Sequence, residues 1–136
     1  MLTLAIIKPD AIASGKAGKI LDLLLQHGFR IRAATFLHLT TAQAEAFYAV
    51  HKERPFFRPL VTFMTSGPCL PLALDRADAV LKLREVIGAT DPRDAAPGTV
   101  RALYAESKER NAIHASDSPE NAVREVGFFF READLS

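Results

Sequence analysis

Leu2-Thr3-Leu4-Ala5-Ile6-Ile7-Lys8-Pro9-Asp10 is the stretch on which the fold turns. From Leu2 to Ile7 the chain is almost continuously apolar but short, which suits a strand covered on both faces. Lys8-Pro9-Asp10 stops the run, so Lys8 stands at a strand end. Outward from it, Gly15 and Gly18 bracket a flexible entry to a helix whose wide apolar face carries Ile20, Leu21, Leu23, Leu24 and Leu25, with Gly28 as its stop. From Phe29 to Leu39 the odd positions are mostly apolar while Arg30, Arg32 and His38 occupy even ones, which predicts a long amphipathic strand.

Thr40 and Gln43 have capping-box spacing and open a helix in which Ala46, Phe47 and Val50 share a face, with Tyr48 and His51 off it. Glu53-Arg54-Pro55-Phe56-Phe57 starts a short helix, and its adjacent phenylalanines cannot both enter one core, so one is expected to be partly exposed. Ser66-Gly67-Pro68 is a turn, and Cys69 to Leu74 reads as a third strand in which Pro71 implies an edge or a bulge. Asp75 is expected to cap a helix with Val80, Leu81, Leu83 and Ile87 inward, ended by Gly88. Ala89 to Thr99 is rich in turn residues, and long ordered loops usually serve function. A helical turn over Thr99 to Tyr104 and the charged connection Glu106 to Arg110 follow. A last helix from Pro119 to Val126 is expected to bury Ala122, Val123 and Val126, with Phe128 to Phe130 packing its end.

The order strand, helix, strand, helices, strand, helix, strand is the split βαβ pattern. It predicts an α+β, ferredoxin-like sandwich with a four-stranded antiparallel sheet covered by helices, formed by residues 1–136 as one domain. Parallel-sheet alternatives need another strand between the two early helices.

Composition narrows function. Seventeen basic and 16 acidic residues leave a net charge of +1, which argues against nucleic acid or an anionic membrane as the main partner and makes any phosphate binding local. The single cysteine, Cys69, sits among Pro, Leu and Ala and reads as a small buried hydrophobe, with neither a disulfide nor a thiolate metal cluster available. No basic region precedes the first apolar run, so neither a signal peptide nor a membrane span is expected, and the location expected is cytoplasmic.

The chemical signal lies in Asn111-Ala112-Ile113-His114-Ala115-Ser116-Asp117-Ser118. Ser118-Pro119-Glu120 has the grammar of a helix start, which pins the histidine just before it. A well-held imidazole is nucleophilic at neutral pH and can accept a phosphoryl group directly. Considered singly, His114 reads equally as a polar turn residue, Lys8 as a strand-end solubiliser, Arg84 as a helix C-terminal charge, Thr90 as a turn former, Arg101 as a solvated helix residue and Glu125 as a surface carboxylate.

Together the motifs resemble the nucleoside diphosphate kinase family over essentially the whole chain. Ile7-Lys8-Pro9-Asp10, Arg54-Pro55-Phe56-Phe57, Ser66-Gly67-Pro68, Gly88-Ala89-Thr90-Asp91-Pro92, Pro97-Gly98-Thr99-Val100-Arg101 and Asn111 to Ser118 occur in that family's order and spacing. The resemblance implies that His114 takes the terminal phosphate of a nucleoside triphosphate, ATP as donor, and passes it to a diphosphate. It also implies phosphate contacts from Lys8, Arg84, Thr90 and Arg101, a sugar contact from Asn111, a base stacked on Phe56, and a Glu125 carboxylate supported by Ser116 that orients His114. Tyr48 and His51 match supporting positions. Mg²⁺ carried on the nucleotide phosphates and a homo-oligomer, tetramer or hexamer, are likewise implied. This chain has Ala115 where the family usually has Gly, and Ala102-Leu103-Tyr104 where it has Gly-Asp-Phe; Lys108 is expected near the base-binding mouth. Two rival readings are a catalytically silent ferredoxin-like regulatory relative and a nucleic-acid-binding module.

Overall fold

The computed structural model describes residues 1–135. β1 (Leu2–Ile7) is the strand its apolar run predicts, and it lies inside the sheet between β3 (Leu70–Asp75) and β4 (Ile113–Ala115). With β2 at Arg30–Ala34, the strand order is β2-β3-β1-β4 and every neighbouring pair is antiparallel. β1 and β2 therefore run parallel with β3 inserted between them, which is the ferredoxin-like split βαβ topology.

Alternation along β1 divides the core in two. Leu4 and Ile6 pack with Phe47, Tyr48, Phe57, Val61, Met64 and Val126, whereas Ala5 and Ile7 pack with Ile20, Leu24, Leu83, Ile87 and Val100. α3 (Thr41–Phe47), α4 (Phe57–Met64) and α7 (Pro119–Phe129) cover the first face; α2 (Ala17–Gln26) and α5 (Ala79–Ile87) cover the second. Leu4, Ile6 and Ile7 are wholly buried, each contributing about 1.5–3 kcal/mol relative to an exposed side chain. Two short helices complete the set: α1 (Pro9–Ala13) and α6 (Val100–Tyr104). Periodicity misses α1 because five residues hold too little of a helical repeat, although Pro9 at its first position and Asp10 in its first turn are helix-start residues.

Several local expectations fail for identifiable reasons. Residues 29–39 are not one regular strand: the pairing of β2 with β3 slips between Ile31 and Ala33, and beyond Ala34 it continues through the Thr35 N–H to the Pro71 carbonyl and a Leu37 to Cys69 bridge. The slip breaks the period of two and leaves Ile31 40% exposed. Pro71 lies in an interior strand and not at an edge. Its carbonyl accepts the Thr35 N–H at 3.1 Å, so its ring nitrogen faces Thr35 and the return bond of that pair is the one ladder bond proline leaves unmade, with Leu37 and Cys69 pairing beyond it. Asp75 ends β3 instead of capping a helix. It lies opposite both Leu2 and Arg30, and its carboxylate takes the N-terminal ammonium at 3.1 Å and Arg32 at 3.0 Å. α5 starts after Asp78, which has φ 52° and makes no side-chain cap bond. Helix faces are also narrower than drawn: Val50, Leu81 and Val123 are exposed while Tyr48 is buried. α3 gives way at Phe47 to a 3₁₀ turn over Ala49–His51, and this change of winding carries Tyr48 inward and Val50 outward.

Other local readings hold. The Thr40 and Gln43 capping box is formed, with bonds of 2.9 and 3.1 Å. Phe57 is buried while Phe56 is 48% exposed. Gly88 ends α5 at φ 87°, and a Cβ there would lie 2.5 Å from Thr99 Oγ1 and 2.8 Å from Thr99 Cβ. Gly88→Ala is expected to destabilise the protein by about 2–5 kcal/mol, from left-handed strain plus overlap. A lower urea midpoint at unchanged slope checks this, and a wild-type midpoint refutes it.

Candidate active site

β4 is only three residues long, but its register decides where the chemistry sits. His114 lies opposite Ile6 and so projects to the α3, α4 and α7 face, where α7 brings Glu125 against it. α7 begins as its sequence predicts: Ser118 Oγ accepts the Asn121 N–H at 3.1 Å and Pro119 takes the first helical position. His114 Nε2 is 2.7 Å from Glu125 Oε1, and Ser116 Oγ donates to the same oxygen at 2.8 Å. Arg124 approaches the other oxygen at 3.4 Å. An ionised carboxylate only accepts, so Nε2 carries the proton and Nδ1 keeps its lone pair. Phe47 and Tyr48 pack edge-on against the imidazole, with centroids 5.4 and 6.1 Å away.

Burial pushes His114 below its ordinary imidazole value; Glu125 pulls the other way, while Lys8 and Arg101 add to the fall. The ring is therefore neutral at pH 7. Burial acts oppositely on Glu125, but His114, Ser116 and Arg124 outweigh it and hold the carboxyl below its usual range. Lys8 is lowered to about 8 by burial, with Arg101 helping and Asp10 opposing. Arg101 is lowered to about 10 by burial and then by Arg84. Both remain cationic at neutral pH.

One cleft of about 390 Å³ brings together Lys8, Arg84, Thr90 and Arg101 with His114 and Glu125, and Tyr48, His51 and Phe56 also line it. Its size falls in the roughly 300–1,000 Å³ range of small-molecule sites. An adjoining cleft shares Lys8, Phe56 and Thr90 and adds Asn111 and Lys108. Lys8 Nζ donates to Asn111 Oδ1 at 2.8 Å, which links the two, and His51 packs on Phe56 with centroids 5.2 Å apart. Every residue singled out from sequence thus faces one of these clefts except Ser116, which is fully buried behind Glu125. Arg101 spends three N–H groups on the carbonyls of Asn111, Gly88 and Ile113, at 3.3, 3.1 and 2.7 Å. Two remain of its five.

The departures from the family pattern are absorbed. Ala115 is paired in β4 opposite Ala5, and positive φ falls at Ala112 instead, so the Ala115 methyl imposes no strain. Ala102 and Leu103 are exposed on α6 and leave Arg101 in place. Sequence reading missed what Asp10 does. Its Oδ2 accepts the Ala112 N–H at 3.0 Å across 102 positions, while buried Oδ1 has no hydrogen-bond partner. Ala112 has φ 75°, and the Ile113 N–H donates to the Asn111 carbonyl at 2.9 Å. This is the γ-turn of positive φ, a rare and strained conformation costing about 1–3 kcal/mol. No local pattern marks a contact of such separation.

A ferredoxin-like sheet carrying a cationic cleft that closes on a carboxylate-held, neutral imidazole defines an enzyme class that handles small phosphate-bearing molecules. The family model for nucleoside diphosphate kinase matches residues 2–135. The chain is 54% identical over 134 residues to the nucleoside diphosphate kinase of Wolinella succinogenes, covering 98% of both, and 55% identical over 133 residues to that of Campylobacter hominis, covering 98% and 97%. Among solved structures, the Aquifex aeolicus nucleoside diphosphate kinase superimposes with a TM-score of 0.96 at 47% identity, over 99% of this chain and 98% of the other. The Halobacterium salinarum nucleoside diphosphate kinase in complex with CDP gives 0.95 at 36% identity, over 100% and 91%. The chain belongs to the nucleoside diphosphate kinase family. Its activity is transfer of the terminal phosphate of a nucleoside triphosphate to a nucleoside diphosphate, in preference to the silent or nucleic-acid-binding readings.

Proposed function

We propose that this transfer runs through His114 in two half-reactions. The observation that carries the proposal is the 2.7 Å contact between His114 Nε2 and Glu125, set beside a cleft walled by Lys8, Arg84 and Arg101. His114 Nδ1 attacks the γ-phosphorus of the triphosphate, ATP as donor; an N–P bond forms as the bridging P–O bond breaks, and the diphosphate departs with that oxygen. A second diphosphate then takes the phosphoryl group by the reverse exchange. Such a reaction needs positioning and charge stabilisation more than covalent help. Lys8, Arg84, Arg101 and Thr90 serve the phosphates, Asn111 and Lys8 the sugar side, Phe56 the base, and Ser116 and Glu125 the orientation of His114. Tyr48 and His51 support that arrangement, Tyr48 against the imidazole and His51 behind Phe56. That the Halobacterium salinarum relative forms a complex with CDP supports a nucleotide as ligand.

The residues present fit Mg²⁺ that enters on its nucleotide. No group of three His, Cys, Asp or Glu able to hold a metal exists among the described residues, and the cations of the cleft leave phosphate oxygens as the ligands. When bound, the ion neutralises phosphate charge. The proposal includes action as one domain, in the cytoplasm, as a homo-oligomer. Supporting self-association, β2 has an open edge beside exposed Ile31 and Phe36. No helix among the described residues is long and apolar enough to cross a membrane.

Incubation with labelled triphosphate and no acceptor is expected to leave an acid-labile, alkali-stable label on the peptide containing His114; label elsewhere overturns the proposal. Phe56 offers stacking, which accepts any base. Turnover efficiencies across purine and pyrimidine diphosphates are therefore expected to lie within about 100-fold, the scope of a few kcal/mol in stacking. Loss of one whole base class in steady-state kinetics refutes this.

A further inference from the structure

We propose that Asp10 is a positioning residue for phosphate transfer, acting through the γ-turn at Ala112. Asp10 is 3% exposed, and its hydrogen bond is to the Ala112 N–H at 3.0 Å. The Ala112 carbonyl accepts the Lys8 N–H at 2.9 Å, so both polar groups of the strained residue are clamped from the same Lys8-Pro9-Asp10 corner. Proline in that corner fixes the backbone between the two clamps.

What the turn carries lies on either side of it. Asn111 precedes it and holds Lys8 Nζ at 2.8 Å; Ile113 follows it and leads directly to His114 in β4. The Arg101 guanidinium bonds the carbonyls of Asn111 and Ile113, the two residues flanking Ala112. An alanine with no anchor relaxes toward negative φ, and that rotation displaces the Asn111 amide, the two Arg101 contacts and the start of β4 together. Asp10 thus sets the mutual placement of Lys8, Asn111, Arg101 and His114 without reaching the cleft itself.

The experiment uses the full-length enzyme and reads the single-turnover rate of His114 labelling from triphosphate. Asp10→Ala is expected to slow it about 10- to 100-fold, the scale of a reacting group misplaced by a fraction of an ångström to an ångström. Asp10→Asn retains an acceptor for the Ala112 N–H and is expected to stay within about threefold of wild type. Glycine adopts positive φ without an anchor, so adding Ala112→Gly to Asp10→Ala should recover most of the lost rate. Because Ala112→Gly also relieves backbone strain and so restores stability, labelling is read only on variants that thermal unfolding shows to be folded, where a merely structural Asp10 leaves the rate at wild type. If Asp10→Ala does not fold, the comparison passes to Asp10→Ala/Ala112→Gly against Ala112→Gly alone, expected within about threefold. The proposal is overturned by a wild-type rate in Asp10→Ala, by Asp10→Asn as slow as Asp10→Ala, or by a double variant that is unfolded or no faster than Asp10→Ala. It rests on His114 as the acceptor. Absence of label on His114 in the wild-type enzyme sinks that reading, whereas the variants measure Asp10 against a labelled wild type.

Discussion

His114→Ala is expected to lower transfer by at least about 10,000-fold, the scale seen when a covalent nucleophile is removed. The two half-reactions share this one group, so without it phosphate can pass only by direct encounter of two nucleotides in a cleft of about 390 Å³. Folding should survive. Glu125 loses its bond to His114 but keeps Ser116 at 2.8 Å and Arg124 at 3.4 Å, which limits the stability cost to about 1–3 kcal/mol. The two measurements separate the roles: a coupled assay reads transfer, and thermal unfolding reads stability. Retention of most of the activity in a folded variant overturns the phosphohistidine route. In the wild type, the lowered pKa of His114 keeps Nδ1 unprotonated down to pH values below the ordinary imidazole range. The acid limb of turnover should therefore fall below pH 6.5, since protonation of the ring removes the nucleophile as pH drops through its folded-state value.

Glu125→Ala has the next largest expected effect, a loss of roughly 10- to 1,000-fold in turnover, matching the loss of an orienting contact of about 1.4–4 kcal/mol. The nucleophile remains, but the ring is free to rotate and to place its proton on Nδ1. Apparent nucleotide affinity should change little because Glu125 contacts the histidine and not the phosphates. Glu125→Gln should be milder in rate, because its amide oxygen can still accept from both His114 and Ser116, although its NH2 then faces the Arg124 guanidinium donor to donor and that bond is lost. It also carries a sign. Glu125 raises the His114 pKa against the effect of burial, so removing its charge should move the acid limb of turnover to lower pH. Single-turnover kinetics of both variants decide the matter, and wild-type turnover in Glu125→Ala would sink the orienting role.

Residues whose role depends on near neighbours are legible in the sequence. The run Leu2 to Ile7, the capping box at Thr40 and Gln43, the helix start at Ser118-Pro119 and the division of labour between Phe56 and Phe57 all follow from periods, caps and side-chain directions that act over about four residues. The strand and helix order was readable for the same reason, and with it the ferredoxin-like topology. Most residues proposed for the site stand out by motif, since Lys8, Thr90, Arg101, Asn111 and His114 each lie in a distinctive local string, whereas Arg84 comes only from the family resemblance; the structure brings all six to adjoining clefts.

Sequence alone therefore determined the order of the strands and the longer helices, and the chemical inventory of this protein; tertiary structure decided what those groups do to one another. Whether Pro71 sits at an edge depended on β3 being inserted between β2 and β1, and whether Asp75 caps a helix depended on the N-terminus and Arg32 arriving beside it. His114 meets Glu125 because β4 pairs with β1 in the register that sets it opposite Ile6. Lys8 finds Asn111 across 103 positions, and Asp10 finds Ala112 across 102. The physical reason is one of range: propensity and amphipathic period are properties of consecutive residues, whereas a buried polar group takes whichever donor or acceptor the closed chain delivers, and that partner leaves no periodic trace in the sequence.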